Sequence, residues 1–166
     1  MSDSKPTYAY TVFIDAPVHS VFEYCRDPRK IYAGDPMMKV VDATLTREGV
    51  GTKARLTARV FIFVEDVAIE YVEATPDQRI VFQAHPTMTP AGLGLKRGIS
   101  TAIHNWTWTF EPEDGGTRLN LVVVEQNPPR WQRAMDRLTE KSFNTQVRDR
   151  LARIKAAVEK QATTLR

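Results

Sequence analysis

From about Pro129 to Gln161 the chain has no internal glycine or proline and is rich in Arg, Ala, Lys, Glu and Leu. Such a segment predicts one long helix. Its apolar positions are Trp131, Ala134, Met135 and Leu138, then Val147, Leu151, Ile154 and Val158. The two groups are out of phase, which predicts a bend near "TEKSFN", with Leu138, Val147, Leu151 and Ile154 mostly buried. A single long helix after a run of strands can cover only one side of a sheet. The sheet must curl around it, and the space between them is the natural place for a cavity.

The segments before it supply that sheet. "TYAYTVFID" (Thr7–Asp15) is aromatic and β-branched and reads as a strand. A short helix follows, with Asp15 placed to cap it, Pro17 suited to its first turn, and Val18, Val21, Phe22 and Cys25 at helical spacing. "DPRKIYAGDP" reads as a second short helix bracketed by Pro28 and Pro36. Strands are expected at about 37–47, 52–61, 64–74, 78–85, 100–111 and 117–126, with "REGVGT" and "EDGGT" as turns. The fold class is α+β: a curved antiparallel seven-stranded sheet wrapped around a long C-terminal helix, with two short helices after the first strand. At 166 residues the chain reads as a single domain spanning 1–166, with an ordered core of about 8–160.

In "STAIHNWTWTF" (Ser100–Phe110), His104, Trp106, Trp108 and Phe110 alternate with Asn105, Thr107 and Thr109. That is a half-buried strand with two tryptophans and a histidine facing inward. The turn "EPEDGG" sets Phe110 opposite Leu119, so facing positions add to a constant. Trp108 then faces Leu121, Trp106 faces Val123, and His104 faces Glu125. A carboxylate beside an imidazole favours the charged ring, and burial opposes it. The pair admits three readings: structural, ligand-orienting, or catalytic as general acid and base. The expected cavity lining is Trp106, Trp108, Tyr71, Phe82, Leu121 and Val123, with Met135 and Leu138 from the last helix. Tyr71, on a strand face with Val67 and Ile69, is the best further polar contact. Arg55 and Arg59 read as solvent-facing. Residues 86–98, "PTMTPAGLGLKRG", are expected to form a mobile rim through Met88, Leu93 and Leu95, with "VFIFV" (Val60–Val64) a weaker candidate.

Composition narrows the function classes. Residues 1–127 hold 13 Lys+Arg and 16 Asp+Glu, whereas residues 128–166 hold 10 and 4. The basic segment reads as a solvated helix face and carries no nucleic-acid-reading pattern. One cysteine, Cys25, cannot form an intramolecular disulfide. No apolar run reaches the ~20 residues of a membrane span, and the first ten residues lack a signal-peptide core. The chain therefore reads as cytoplasmic, a monomer or weak homodimer, with no nucleic acid and no integral membrane contact. His19, His85 and His104 lie far apart, so neither a metal nor another cofactor is expected. "GLGLKRG" lacks the strand-then-helix context of a phosphate loop, and no Gly-x-Ser-x-Gly elbow occurs.

"TVFIDAPVHSVFEYCRDP", "TWTFEPEDGGTRLNLVVV" and "NTQVRDRLARIKAAVE" resemble the opening, the last hairpin and the closing helix of the START-like SRPBCC superfamily, the helix-grip fold. The likeness covers about residues 8–160. Within it, His104 and Trp106 before "EDGGT", and Asn144-Thr145 ahead of "ARIK", look most like the bacterial polyketide cyclase/dehydrase branch. The resemblance implies an apolar cavity between sheet and helix that takes a hydrophobic small molecule of lipid, polyketide or polycyclic type. The alternative it implies is a cyclase or dehydratase with His104 and Glu125 as acid and base. The basic side chain of such cyclases would fall near Tyr71–Val72, where this chain has no arginine.

Overall fold

A computed structural model describes residues 7–92, 94 and 98–164. Strand β1 (Thr7–Ile14) leads into helices α1 (Val18–Cys25) and α2 (Pro28–Ile31). Then come β2 (Met38–Thr44), β3 (Lys53–Val60), β4 (Phe63–Thr75), β5 (Arg79–Pro90), the two-residue β6 (Ile99–Ser100), β7 (Ile103–Glu113), β8 (Gly116–Gln126) and α3 (Arg130–Thr164). One antiparallel sheet runs β1-β8-β7-β5-β4-β3-β2, with β6 paired to β5 off that path. This is the helix-grip architecture, with seven long strands and one short extra.

Local chemistry explains the starts and turns. Pro28 opens α2, and the Asp27 carboxylate accepts from the Arg29 N–H at 2.9 Å, satisfying one of the helix's orphan donors. The inward residues of β7 and β8 alternate as the sequence predicts, and Phe110 pairs with Leu119 in the expected register. Arg55 and Arg59 are solvent-exposed, as expected. Tyr71, Phe82 and Trp106 stack in series at centroid distances of 5.4 and 5.7 Å. Val147, Leu151, Ile154 and Val158 close the core from α3.

Four expectations change. Pro17, not Asp15, is the N-cap of α1, and no side chain caps it. Helix α3 runs unbroken across "TEKSFN". In an unbroken helix Leu138 lies about two and a half turns before Val147, on the opposite side, and it is 83% exposed rather than buried. Strand β5 continues to Pro90, paired with β4 as far as Phe63, so the connection to β6 is shorter than a loop from 86. Leu93 and Leu95 of the expected rim lie outside the described residues. No described helix is long and apolar enough to cross a membrane.

The helix is anchored by a buried charge cluster. Arg150 Nε and Nη2 donate to Asp35 Oδ2 at 3.0 and 2.8 Å, and Arg153 Nη2 adds a third bond at 3.0 Å. The guanidinium of Arg150 also lies over the Tyr32 ring, 4.5 Å from its centroid. Burial alone would raise the Asp35 carboxyl, but Arg150 and the Met37 and Met38 N–H groups outweigh it and hold it below its ordinary range.

Candidate functional site

The first half of α3 stands over the inner face of the sheet and leaves a cleft of about 350 Å³. Met37, Val60, Phe61 and Met88 line it from the sheet side, and Trp131, Met135, Leu138 and Phe143 from the helix. Gln132, Asp136, Thr139 and Phe143, at helical spacing, put one stripe of α3 into it. The side-chain oxygen of Gln132 accepts the Ala102 N–H at 2.8 Å, which fixes the helix start against the strand leading into β7.

At the inner end the pairing of β7 with β8 sets His104 opposite Glu125. His104 Nε2 and Glu125 Oε1 are 3.5 Å apart, a close polar contact too long for a strong hydrogen bond. Asp136 reaches the same place from α3. Burial pushes the His104 ring down to about 4, so the neutral imidazole prevails and the neighbouring carboxylate does not make it cationic. Burial, then the charge of Asp136, push Glu125 up to about 7, and burial raises Asp136 as well. Two carboxyl groups this close cannot both ionise cheaply, so charge on one disfavours charge on the other. Glu125 Oε2, Asp136 Oδ2 and His104 Nε2 are buried with no hydrogen-bond partner among the described residues. Tyr8 borders them and is raised to about 12 by burial and by Glu125, Asp136 and Glu140.

Of the residues singled out from the sequence, His104, Met135 and Leu138 line the cleft. Trp106, Trp108, Tyr71, Phe82, Leu121 and Val123 lie in the packed core instead and do not line it, and Glu125, buried opposite His104, is not among the lining residues either. The Tyr71 hydroxyl donates to the Cys25 carbonyl at 3.0 Å, which takes up its polar group. The indole N–H groups of Trp106 and Trp108 have no acceptor among the described residues. Asp136 escaped the sequence reading because its stripe, Gln132-Asp136-Thr139-Phe143, mixes polar and apolar residues. Helical spacing from Gln132 reaches it in an unbroken α3. Asn144 holds the Tyr10 hydroxyl through its side-chain oxygen, tying α3 to β1.

The sequence family described as polyketide cyclase/dehydrase and lipid transport matches residues 5–159. No curated protein sequence matches the chain. The solved structure of a protein from Rhizobium leguminosarum has a TM-score of 0.67 at 16% identity, covering 95% of this chain and 96% of that one. Protein Ms6760 from Mycobacterium smegmatis gives 0.65 at 15%, covering 91% and 89%. Ara h 8.0201 gives 0.57 at 13%, covering 96% and 98%. These likenesses establish the fold.

Proposed function

Because this chain belongs to the polyketide cyclase/dehydrase and lipid transport family, we propose that it binds a hydrophobic small molecule carrying at least one oxygen. The ligand's apolar body lies in the cleft under α3, against Met37, Met88, Met135, Leu138 and Phe143. Trp106, Trp108, Tyr71, Phe82, Leu121 and Val123 form the rigid base beneath. The ligand's oxygen meets the inner polar group, where the neutral His104 and the Glu125 and Asp136 carboxyls present their unpaired atoms. The observation that carries this reading is the group of three buried polar atoms, His104 Nε2, Glu125 Oε2 and Asp136 Oδ2, without hydrogen-bond partners among the described residues, with His104 and Asp136 both lining the cleft. Leaving such atoms unpaired costs about 1–3 kcal/mol each, and a ligand oxygen offsets that cost.

A second reading is supported by the displaced proton affinity of Glu125. A carboxyl group near 7 is poised to give or take a proton at neutral pH, as a cyclase or dehydratase needs. In that role Glu125 with Asp136 moves the proton, and His104, held neutral, orients the substrate. Saturable binding of an apolar fluorescent probe, at one per chain, tests the first reading. A Thr139→Trp substitution, which fills the cleft, should abolish it. A wild-type protein that takes up no probe contradicts both readings.

A further inference from the structure

The cleft opens between two exposed apolar features. One is the β3–β4 hairpin tip, where Phe61 is 84% and Ile62 68% exposed. The other is the α3 stripe of Trp131 and Leu138, seven residues apart and therefore on one side of the helix. The tip defies ordinary turn chemistry. Val60 pairs with Phe63, so Phe61-Ile62 is a two-residue turn, and Phe61 has φ 53°. That region suits Gly or Asn, and a bulky side chain is strained there. The turn therefore bears a backbone cost and a solvation cost at the same residue, and neither helps the fold.

Charge flanks this surface. Arg130, Arg137 and Lys141 fall on a second stripe of α3 beside Trp131 and Leu138, and all three are exposed. Arg59 is exposed two residues before the tip. Among the described residues none of these four enters an ion pair. Against them stand Asp66 on β4 and Glu140 on α3, while Glu65 and Asp136 are turned into the cleft. An apolar ridge with an aromatic residue, bordered by a row of basic side chains, matches the boundary of an anionic bilayer.

We propose that the Phe61-Ile62 tip and the Trp131–Lys141 half of α3 dock this protein onto an anionic lipid surface. Phe61, Ile62, Trp131 and Leu138 enter the acyl boundary while Arg59, Arg130, Arg137 and Lys141 meet the phosphates. The cleft mouth then faces the membrane. The proposal needs no occupant in the cleft.

Co-sedimentation of the full chain with phosphatidylcholine vesicles, with and without about 30% phosphatidylserine, tests it. Binding should require phosphatidylserine and fall sharply in about 0.5 M salt. Ile62→Ser should weaken it, and Arg137→Glu with Lys141→Glu should weaken it more than tenfold, at about fivefold or more per basic side chain. Brominated lipid should quench Trp131 fluorescence, and that quenching should vanish in Trp131→Phe. Ile62, Arg137 and Lys141 do not line the cleft, so these variants keep probe binding if the proposed function holds, and the two failures are distinguishable. No binding by wild type, or equal binding by the variants, overturns the proposal. A concentration-dependent dimer abolished by Ile62→Ser would place a second copy on this surface and overturn it equally.

Discussion

His104 and Glu125 face each other across β7 and β8, 3.5 Å apart, yet their proton affinities move in opposite directions, to about 4 and about 7. Each shift disfavours charge, and each links folding to pH with an opposite sign. His104 is depressed below its ordinary 6.5, so its stabilisation is complete above 6.5 and is lost as pH falls toward 4. Glu125 is raised above its ordinary 4.5, so its stabilisation is complete below 4.5 and is lost as pH rises toward 7. Asp136 adds to the Glu125 side. Between about pH 5 and 7 the two sides offset, each worth about 1–3 kcal/mol. Relative to wild type, Glu125→Gln should lose stability from pH 7 to pH 5, and His104→Gln should gain it. Urea denaturation at the two pH values measures this, and pH-independent differences for both variants would refute it.

Asp35→Ala should be among the most damaging single changes. It removes the counter-charge of buried Arg150 and the acceptor of the Met37 and Met38 N–H groups. An uncompensated buried charge costs about 3–5 kcal/mol. A loss under about 1 kcal/mol in a denaturation series would show that Arg150 finds water instead.

Gly116→Ala should destabilise by about 1–3 kcal/mol through overpacking. A Cβ there would lie 2.5 Å from the Ile14 carbonyl oxygen and 2.6 Å from the Phe13 ring. The carbonyl belongs to a paired strand and cannot swing aside. A thermal melt matching wild type would contradict this close approach.

Phe61→Asn should raise stability by about 0.5–1 kcal/mol, because Asn tolerates positive φ. The same change should weaken vesicle binding. Stability lost together with binding would mean that Phe61 packs into the fold after all.

The fold was largely legible because its signals are periodic. The alternation from His104 to Phe110, met by Leu119 to Glu125, fixed the β7–β8 register and placed His104 by Glu125. The cleft was less legible. The two apolar groups of α3 are out of phase, and in one unbroken helix that difference puts Leu138 on the side away from Val147, while the inward stripe through Asp136 is too polar to stand out by hydropathy. Nor could pattern show that Trp106 and Trp108 fill the core rather than line the cleft, since inward facing and cavity facing share one alternation. The Phe61-Ile62 tip was visible as an apolar stretch where a turn belongs, but its exposure depends on the pairing of Val60 with Phe63.

The central claim is that the inner polar group recognises a ligand oxygen. The most direct measurement compares a polycyclic ketone with its parent hydrocarbon as displacers of a bound fluorescent probe, in wild type and in His104→Phe. The ketone should lose about 1–3 kcal/mol of affinity in the variant, the cost of an unpaired buried polar group, while the hydrocarbon binds as before. Equal losses for both would make His104 a packing residue and contradict the account.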